Sequence, residues 1–404
     1  MKKLLSLALA LLMLAVMLPV VSMAAGLSGD VKYPDGITKD SFGTNTIYVD
    51  NVTGEEHYFA KLEDALNAAS ARATMYCLEN ATIASNLNHP DFYKDITVYG
   101  NGADFQKREN NFGTVGSGYK YPDANTTVTV TVYNAKNFAV WGQPSNDSVT
   151  WNVTLKNCEN DGKYFLMFRN EANFNSTMNF TLEDCKLTGT QTTSDNGLHI
   201  TAGGSVTVTG CTFTNCSVPI NVNHKQNNAL TINISGNTFD HCGLDNPSDD
   251  YYAPVRIVNA AEGTSVNATI KNNTFTNTVA KDSNGDIRLG DQRTENDAPK
   301  PSYDVSATIE TNQVITVKSG NASIPPMDPA TVSAGSKVTA DAKGTITPVK
   351  EEGPTTIVII NPTQDTPKTD DQKNPTTGAN DLVAVAVAAA ALALAGSAII
   401  LRKD

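Results

Sequence analysis

Basic side chains are scarce in this chain: Lys and Arg number 30 against 42 Asp and Glu, leaving a formal net charge of −12. The deficit deepens once the two ends are set aside. Removing Lys2, Lys3, Arg402 and Lys403 leaves 30 − 4 = 26 bases, and removing Asp381 and Asp404 leaves 42 − 2 = 40 acids. Nucleic acid is therefore excluded as a partner, since phosphate backbones are held by concentrated basic faces. Six cysteines are present but no C-x-x-C spacing and no paired histidines, so no metal is expected. Long amphipathic stretches are few. The middle of the chain holds Thr, Asn, Val and Gly in their place, and such a composition reads as all-β.

Both ends carry targeting patterns. Lys2 and Lys3 precede an apolar stretch from Leu4 to Val21 and a small-residue site at Ser22-Met23-Ala24-Ala25, the order of a secretory signal peptide over residues 1–25. At the other end, Leu382 to Leu401 is a charge-free run of 20 residues, long enough to cross a bilayer, with Arg402 and Lys403 placed to stay on the cytoplasmic side. Before it stands Asn374-Pro375-Thr376-Thr377-Gly378. The order of pentapeptide, apolar helix and basic tail over 374–404 resembles the sorting signal of Gram-positive sortase substrates. That resemblance implies cleavage between Thr377 and Gly378 and joining to the cell wall by a sortase partner. Asn374 stands where that family has Leu, which leaves the sortase unspecified, and a plain membrane anchor through Leu382 to Leu401 stays open beside it. Either way the expectation is an exported chain displayed at the cell surface with the ectodomain outside.

Between the ends lies a repeat. Short alternating segments ending in Cys or Asn recur: Val153 to Cys158, Phe180 to Cys185, Val206 to Cys211, Ile232 to Asn237, Ala268 to Asn273 and Ala307 to Asn312. The end positions 158, 185, 211, 237, 273 and 312 give steps of 27, 26, 26, 36 and 39 residues. Two positions further an apolar residue follows, at Leu187, Phe213, Phe239, Phe275 and Val314. Each unit has a second alternating segment: Phe165 to Phe168, Leu198 to Ile200, Ile220 to Val222, Val255 to Ile257 and Ile287 to Leu289. Period-2 alternation turns one set of side chains inward. No unit carries enough apolar residues for its own core, so units must stack. The expected fold is a parallel β-helix over 26–315, with an inward column Leu155, Leu182, Val208, Ile234, Ile270, Ile309.

On these segments the chain resembles the right-handed parallel β-helix superfamily that includes pectate lyases and many surface proteins. The N-terminal part fits it, with strands at Thr46 to Val49, Thr74 to Cys77 and Ile96 to Gly102. Between them, Leu62, Ala65, Leu66 and Ala69 share one face of an amphipathic helix. In that superfamily such a helix caps the open end of the coil. After Asn312 the pattern gives way to a small β appendage or extended stalk over 316–360 and a Pro- and Thr-rich linker over 361–373.

Cys158, Cys185 and Cys211 fall on one repeat position, and Cys216 and Cys242 on another. Stacked equivalents point the same way, so buried free thiols are expected, continued by Asn237, Asn273 and Asn312. Outward residues of the second segments form a row Met167, His199, Asn221, Arg256, Arg288. Beside it lie Asp286, Asp291 and Arg293 and a loop with Asp245, Asp249, Asp250, Tyr251 and Tyr252. Such a row fits an acidic sugar, with arginine forks on carboxylates and tyrosines stacking on the ring. The plainer expectation is that Arg256 and Arg288 pair with Asp286, Asp291 or Asp249 and Asp250 on a solvated face. Trp141 has outward parity and offers a second sugar platform, whereas Trp151 shares parity with the core. His199 and His224 stand alone, as structural histidines do. For the lyases and hydrolases of the resembled superfamily, the nearest catalytic set is Asp249 and Asp250 with Arg256 and Arg288. The chain lacks the Gly-His-Gly element of polygalacturonase-like members. No cofactor is called for, Ca²⁺ being the ion for which a lyase would leave room. The leading expectation is a glycan-contacting surface module, and the alternative is a polysaccharide lyase or glycoside hydrolase acting on acidic polysaccharides.

Overall fold

The computed structural model describes residues 30–59, 72–83, 95–105, 125–142, 149–162, 165–168, 176–192, 197–245, 252–290, 294–295, 298–299, 303–320 and 329–349. Everything structural below concerns these residues. The signal peptide, the helix expected around Leu62 to Ala69, the strand expected at Thr355 to Ile360, the linker and the sorting signal lie outside them. No described helix is long and apolar enough to cross a membrane.

The described secondary structure is nearly all β-strand, arranged in three large sheets that the chain visits in rotation. Strand Thr150–Lys156 of the first sheet leads to Glu159–Asp161 of the second and Leu166–Phe168 of the third. The chain then returns to the first at Thr177–Glu183. The next turns repeat the circuit through Lys186–Thr188, Leu198–Ile200 and Gly203–Thr209, then Thr212–Thr214, Ile220–His224 and Leu230–Ser235. Successive strands of each sheet pair in parallel along this stretch. The result is a stack of parallel sheets, consistent with a β-solenoid.

Alternation explains the strands. Thr150–Lys156 and Thr177–Glu183 bury every second residue, and the inward column runs in register through Leu155, Leu182, Val208, Ile234, Ile270 and Ile309. All six are at most 1% exposed. Each such side chain contributes about 1.5–3 kcal/mol on burial, so the stack rather than any one turn carries the stability. The outward side of the same strands is polar, with an uncharged row Thr154, Thr181, Thr207, Asn233 and Thr269 and, beside it, Lys156 paired with Glu183 at 2.7 Å.

The corners explain the repeat's consensus. Asn157, Asp184, Gly210, Gly236 and Asn272 have φ of 52°, 53°, 65°, 66° and 52°, the left-handed region that turns the chain sharply from the first sheet into the second. Gly, Asn and Asp tolerate it best. One such residue precedes each of Cys158, Cys185, Cys211, Asn237 and Asn273, which are thereby turned inward and buried. All six cysteines are free and buried. Three of them form part of a backbone-to-side-chain ladder: Cys158 N–H donates to Sγ of Cys185 at 3.3 Å and Cys185 N–H to Sγ of Cys211 at 3.4 Å. Cys211 N–H donates to Oδ1 of Asn237 at 2.8 Å and Asn237 N–H to Oδ1 of Asn273 at 2.9 Å. Phe213, Phe239 and Phe275 stack behind them with centroids 5.2 and 4.9 Å apart.

One expectation for the last unit is corrected. Asn312 is exposed, its Nδ2 donating at 3.1 Å to Oδ1 of Asn272, and Val314 is 55% exposed. Neither Glu310 nor Thr311 is left-handed, so alternation continues through Asp304–Thr311 and puts Thr311, not Asn312, inside. Antiparallel strands close both ends of the stack. Thr46–Asp50 lies between Glu56–Phe59 and Arg72–Cys77. At the far end Ser336–Asp341 pairs with Asp304–Thr311, and Ala330–Val332 with Ile315–Ser319.

Candidate functional site

The expected outward row exists as a register column of the third sheet. Trp141 pairs with Met167, Met167 with His199, His199 with Asn221, Asn221 with Arg256, Arg256 with Arg288 and Arg288 with Lys318. Parity dictates this, because His199, Asn221, Arg256 and Arg288 each sit between two buried apolar residues, as Arg256 does between Val255 and Ile257. Lys318 extends the row by one rung beyond its sequence-visible end. Its alternation in Ile315–Ser319 was the available signal, masked by the loss of repeat spacing after Asn312.

The three rungs His199, Asn221 and Arg256 are joined by hydrogen bonds. Nδ2 of Asn221 lies 3.3 Å from Nδ1 of His199, and Nη1 of Arg256 donates to Oδ1 of Asn221 at 2.9 Å. Asn221 is therefore oriented, its oxygen toward the cation and its nitrogen toward the imidazole. The far end is cationic, with Nζ of Lys318 donating to the Ser283 carbonyl at 2.8 Å.

Burial divides the row. His199 is half-buried, while Asn221 and Arg256 are 0%, Arg288 is 1% and Lys318 is 8% exposed. The expectation of arginines on a solvated face is corrected accordingly. Cations on adjacent strands, about 4.8 Å apart, repel by about 3–4 kcal/mol at an effective dielectric constant near 20. They persist because each is engaged by further partners. Asp286 belongs to a different cluster. Its Oδ1 accepts from Thr278 Oγ1 at 2.6 Å, its Oδ2 accepts from Thr316 N–H at 2.8 Å and Thr316 Oγ1 at 3.1 Å, and Lys281 Nζ stands 3.1 Å away. The expected role of Asp286 as counter-ion to the arginine row is replaced by this pairing, which the one-turn helix Lys281–Asn284 brings into place.

Tyr252 is 6% exposed, its carbonyl accepting from Nδ2 of Asn284 at 3.4 Å, so its ring is not an open platform. Trp151 is core, as its parity required. Asp249, Asp250, Tyr251 and Asp291 lie outside the described residues, as does the side chain of Trp141, whose backbone position alone is placed by strand Val140–Gly142. No group of three or more His, Cys, Asp or Glu side chains able to hold a metal occurs among the described residues. Comparison of the sequence with protein families, with curated proteins and with solved structures finds no match.

Proposed function

We propose that the chain is an exported recognition or adhesion module, a right-handed, pectate-lyase-like β-helix held at the bacterial surface that engages an acidic glycan without cleaving it. On this reading residues 1–25 are removed on export, a helix around Leu62 to Ala69 caps the coil, and 374–404 retain it at the wall or membrane. Its carrying observation is the hydrogen-bonded path from half-buried His199 through Asn221 to buried Arg256. Charges held at low dielectric act over longer distances than solvated ones. The Arg256, Arg288 and Lys318 end of the row thus favours an anion at its accessible His199 end. A sugar carboxylate there takes a hydrogen bond from the imidazole, and Trp141, two rungs away, supplies a stacking surface. Asp249, Asp250, Tyr251 and Asp291, close in sequence to the Arg256 and Arg288 strands, would frame the longer ligand.

The mature chain incubated with acidic polysaccharides tests this by both binding and chain length. Binding that weakens with salt and is lost in His199→Ala, with no shortening of the polymer, is the expected result. Shortening abolished by Arg256→Ala or Asp250→Ala would identify a lyase or hydrolase instead, and absence of binding would leave a passive stalk.

A further inference from the structure

The inward positions of the third sheet are apolar, as in Leu198 and Ile200, Ile220 and Val222, Val255 and Ile257. At the next inward position the rungs carry Ala202, His224 and Asn259, where the chain leaves for the first sheet. Asn259 is fully used: its Nδ2 donates to the carbonyls of Thr264 and Asp304 at 3.0 and 3.1 Å, and its Oδ1 accepts from Ala261 N–H at 3.0 Å. His224 is not. It is 0% exposed, and neither ring nitrogen has a hydrogen-bond partner among the described residues. Two residues on, Gln226 is also 0% exposed, and both its amide nitrogen and its amide oxygen lack partners. The imidazole lies against the backbone of Ala202, Gln226 and Asn228 without reaching hydrogen-bonding geometry.

The turn that follows is also longer than the one before it. The preceding rung passes from Ile200 to Gly203 through Thr201 and Ala202 alone, whereas this one passes from His224 to Leu230 through Lys225 to Ala229. Both ends of the longer turn are tied down. Lys225 N–H donates to Thr201 O at 3.0 Å, and Nδ2 of Asn228 donates to Ser176 O at 3.2 Å. Gly203 admits the Asn228 amide, which any Cβ there would strike. Four buried polar atoms from two side chains, at the head of a turn tied down at both ends, thus lack a protein partner among the described residues.

We propose that this turn is an internal solvent site, holding ordered water between the His224 imidazole and the Gln226 amide. Buried polar groups are almost always bonded to protein or to ordered water. A neutral imidazole offers one donor and one acceptor, and an amide offers two donors and an acceptor oxygen. Water complements both because it donates and accepts. A metal ion does not fit, since one imidazole and one amide oxygen fall short of a coordination set. The bridge holds the turn shut over the end of Ile220–His224, the strand that also carries Asn221.

Two measurements test the site. An atomic-resolution crystal structure of the protein is expected to show solvent density within hydrogen-bonding distance of a His224 ring nitrogen and of the Gln226 amide. A direct His224 to Gln226 bond, or backbone partners for all four atoms with no solvent peak, would overturn the proposal. The variants His224→Phe, Gln226→Leu and their combination are compared by urea midpoint. Because each single change strands the partners of the same water, the double change is expected to lower the midpoint by clearly less than the sum of the singles. Additive losses would overturn it equally.

Discussion

Oδ1 of Asn221 accepts a 2.9 Å hydrogen bond from Nη1 of Arg256 one rung away, and both side chains are fully buried. A buried guanidinium that loses a neutral acceptor forfeits about 1.5–3 kcal/mol. Asn221→Leu is therefore expected to lower the urea midpoint by that equivalent. Replacing the pair together, as Asn221→Leu with Arg256→Met, is expected to recover much of the loss, because no cation is left stranded. A double variant no more stable than Asn221→Leu would show that the rest of Arg256's surroundings, not this bond, dominates.

The ladder of Cys158, Cys185, Cys211, Asn237 and Asn273 makes a second prediction. Sγ of Cys211 accepts from Cys185 N–H and lies 3.6 Å from Leu182 O, while in the next rung Nδ2 of Asn237 donates to Val208 O at 2.9 Å. An asparagine at 211 reproduces both bonds. Cys211→Asn is expected to be near neutral in thermal unfolding, whereas Cys211→Ala, which strands the Cys185 N–H, is expected to cost about 1–3 kcal/mol. Burial pushes the thiols of Cys158 and Cys185 well above the usual range. All six cysteines being buried, an alkylating reagent at about pH 8 is expected to label none of them in the folded chain, read by intact mass.

Corners give a third. Gly236 has φ 66° with no atom within 4 Å of an added Cβ, so a side chain there meets only backbone strain. Gly236→Asn is expected to change the thermal midpoint little, since Asn157 and Asn272 hold the equivalent corners. Gly236→Val is expected to cost about 1–2 kcal/mol or more from the left-handed penalty. Equal midpoints for the two variants would mean that the corner relaxes out of the left-handed region.

The stacking of the units was legible because alternation and a near-constant step act together. Leu155 through Ile309 could be aligned from their neighbours alone, and the same parity placed Asn221, Arg256 and Arg288 in one row. What parity does not carry is depth. It separates inward from outward, but whether an outward residue meets water depends on connections between rungs, so Arg256 read as solvated and is buried. Asp286 was misassigned for a related reason. Its nearness to Arg288 in sequence counts for less than the helical turn that carries Lys281 to it. Asn312 misled because the consensus Cys or Asn is inward only after a left-handed residue, a requirement visible in Asn157, Asp184 and Gly210 but absent at Thr311. The interior histidine looked like any lone one, since nothing local distinguishes His224 from half-buried His199.

That difference sets the pH dependence. Burial lowers the His224 pKa from its ordinary 6.5, outweighing the neighbouring backbone carbonyls of Ala202, Asn228 and Gln226. In register beside the ring stands the uncharged Asn259, and Lys225, His199 and Arg256 all have the opposite, outward parity. Among the described residues no carboxylate acts on the imidazole to favour its cation. The folded chain therefore resists a proton that the unfolded chain accepts below about pH 6.5. The neutral ring's contribution is complete above that value and is lost as pH falls, by up to about 1.4 kcal/mol per pH unit until the folded imidazole itself protonates. Urea midpoints taken at about pH 7.5 and about pH 5.5 should fall with acid in the natural chain and fall less in His224→Gln. Hydrogen exchange in the peptide spanning 220–229 should speed up over the same interval, after correction for intrinsic rates, while the turn at Thr201 and Ala202 stays protected. An identical acid response in His224→Gln would place the sensitive group elsewhere and remove His224 from control of the strand that bears Asn221.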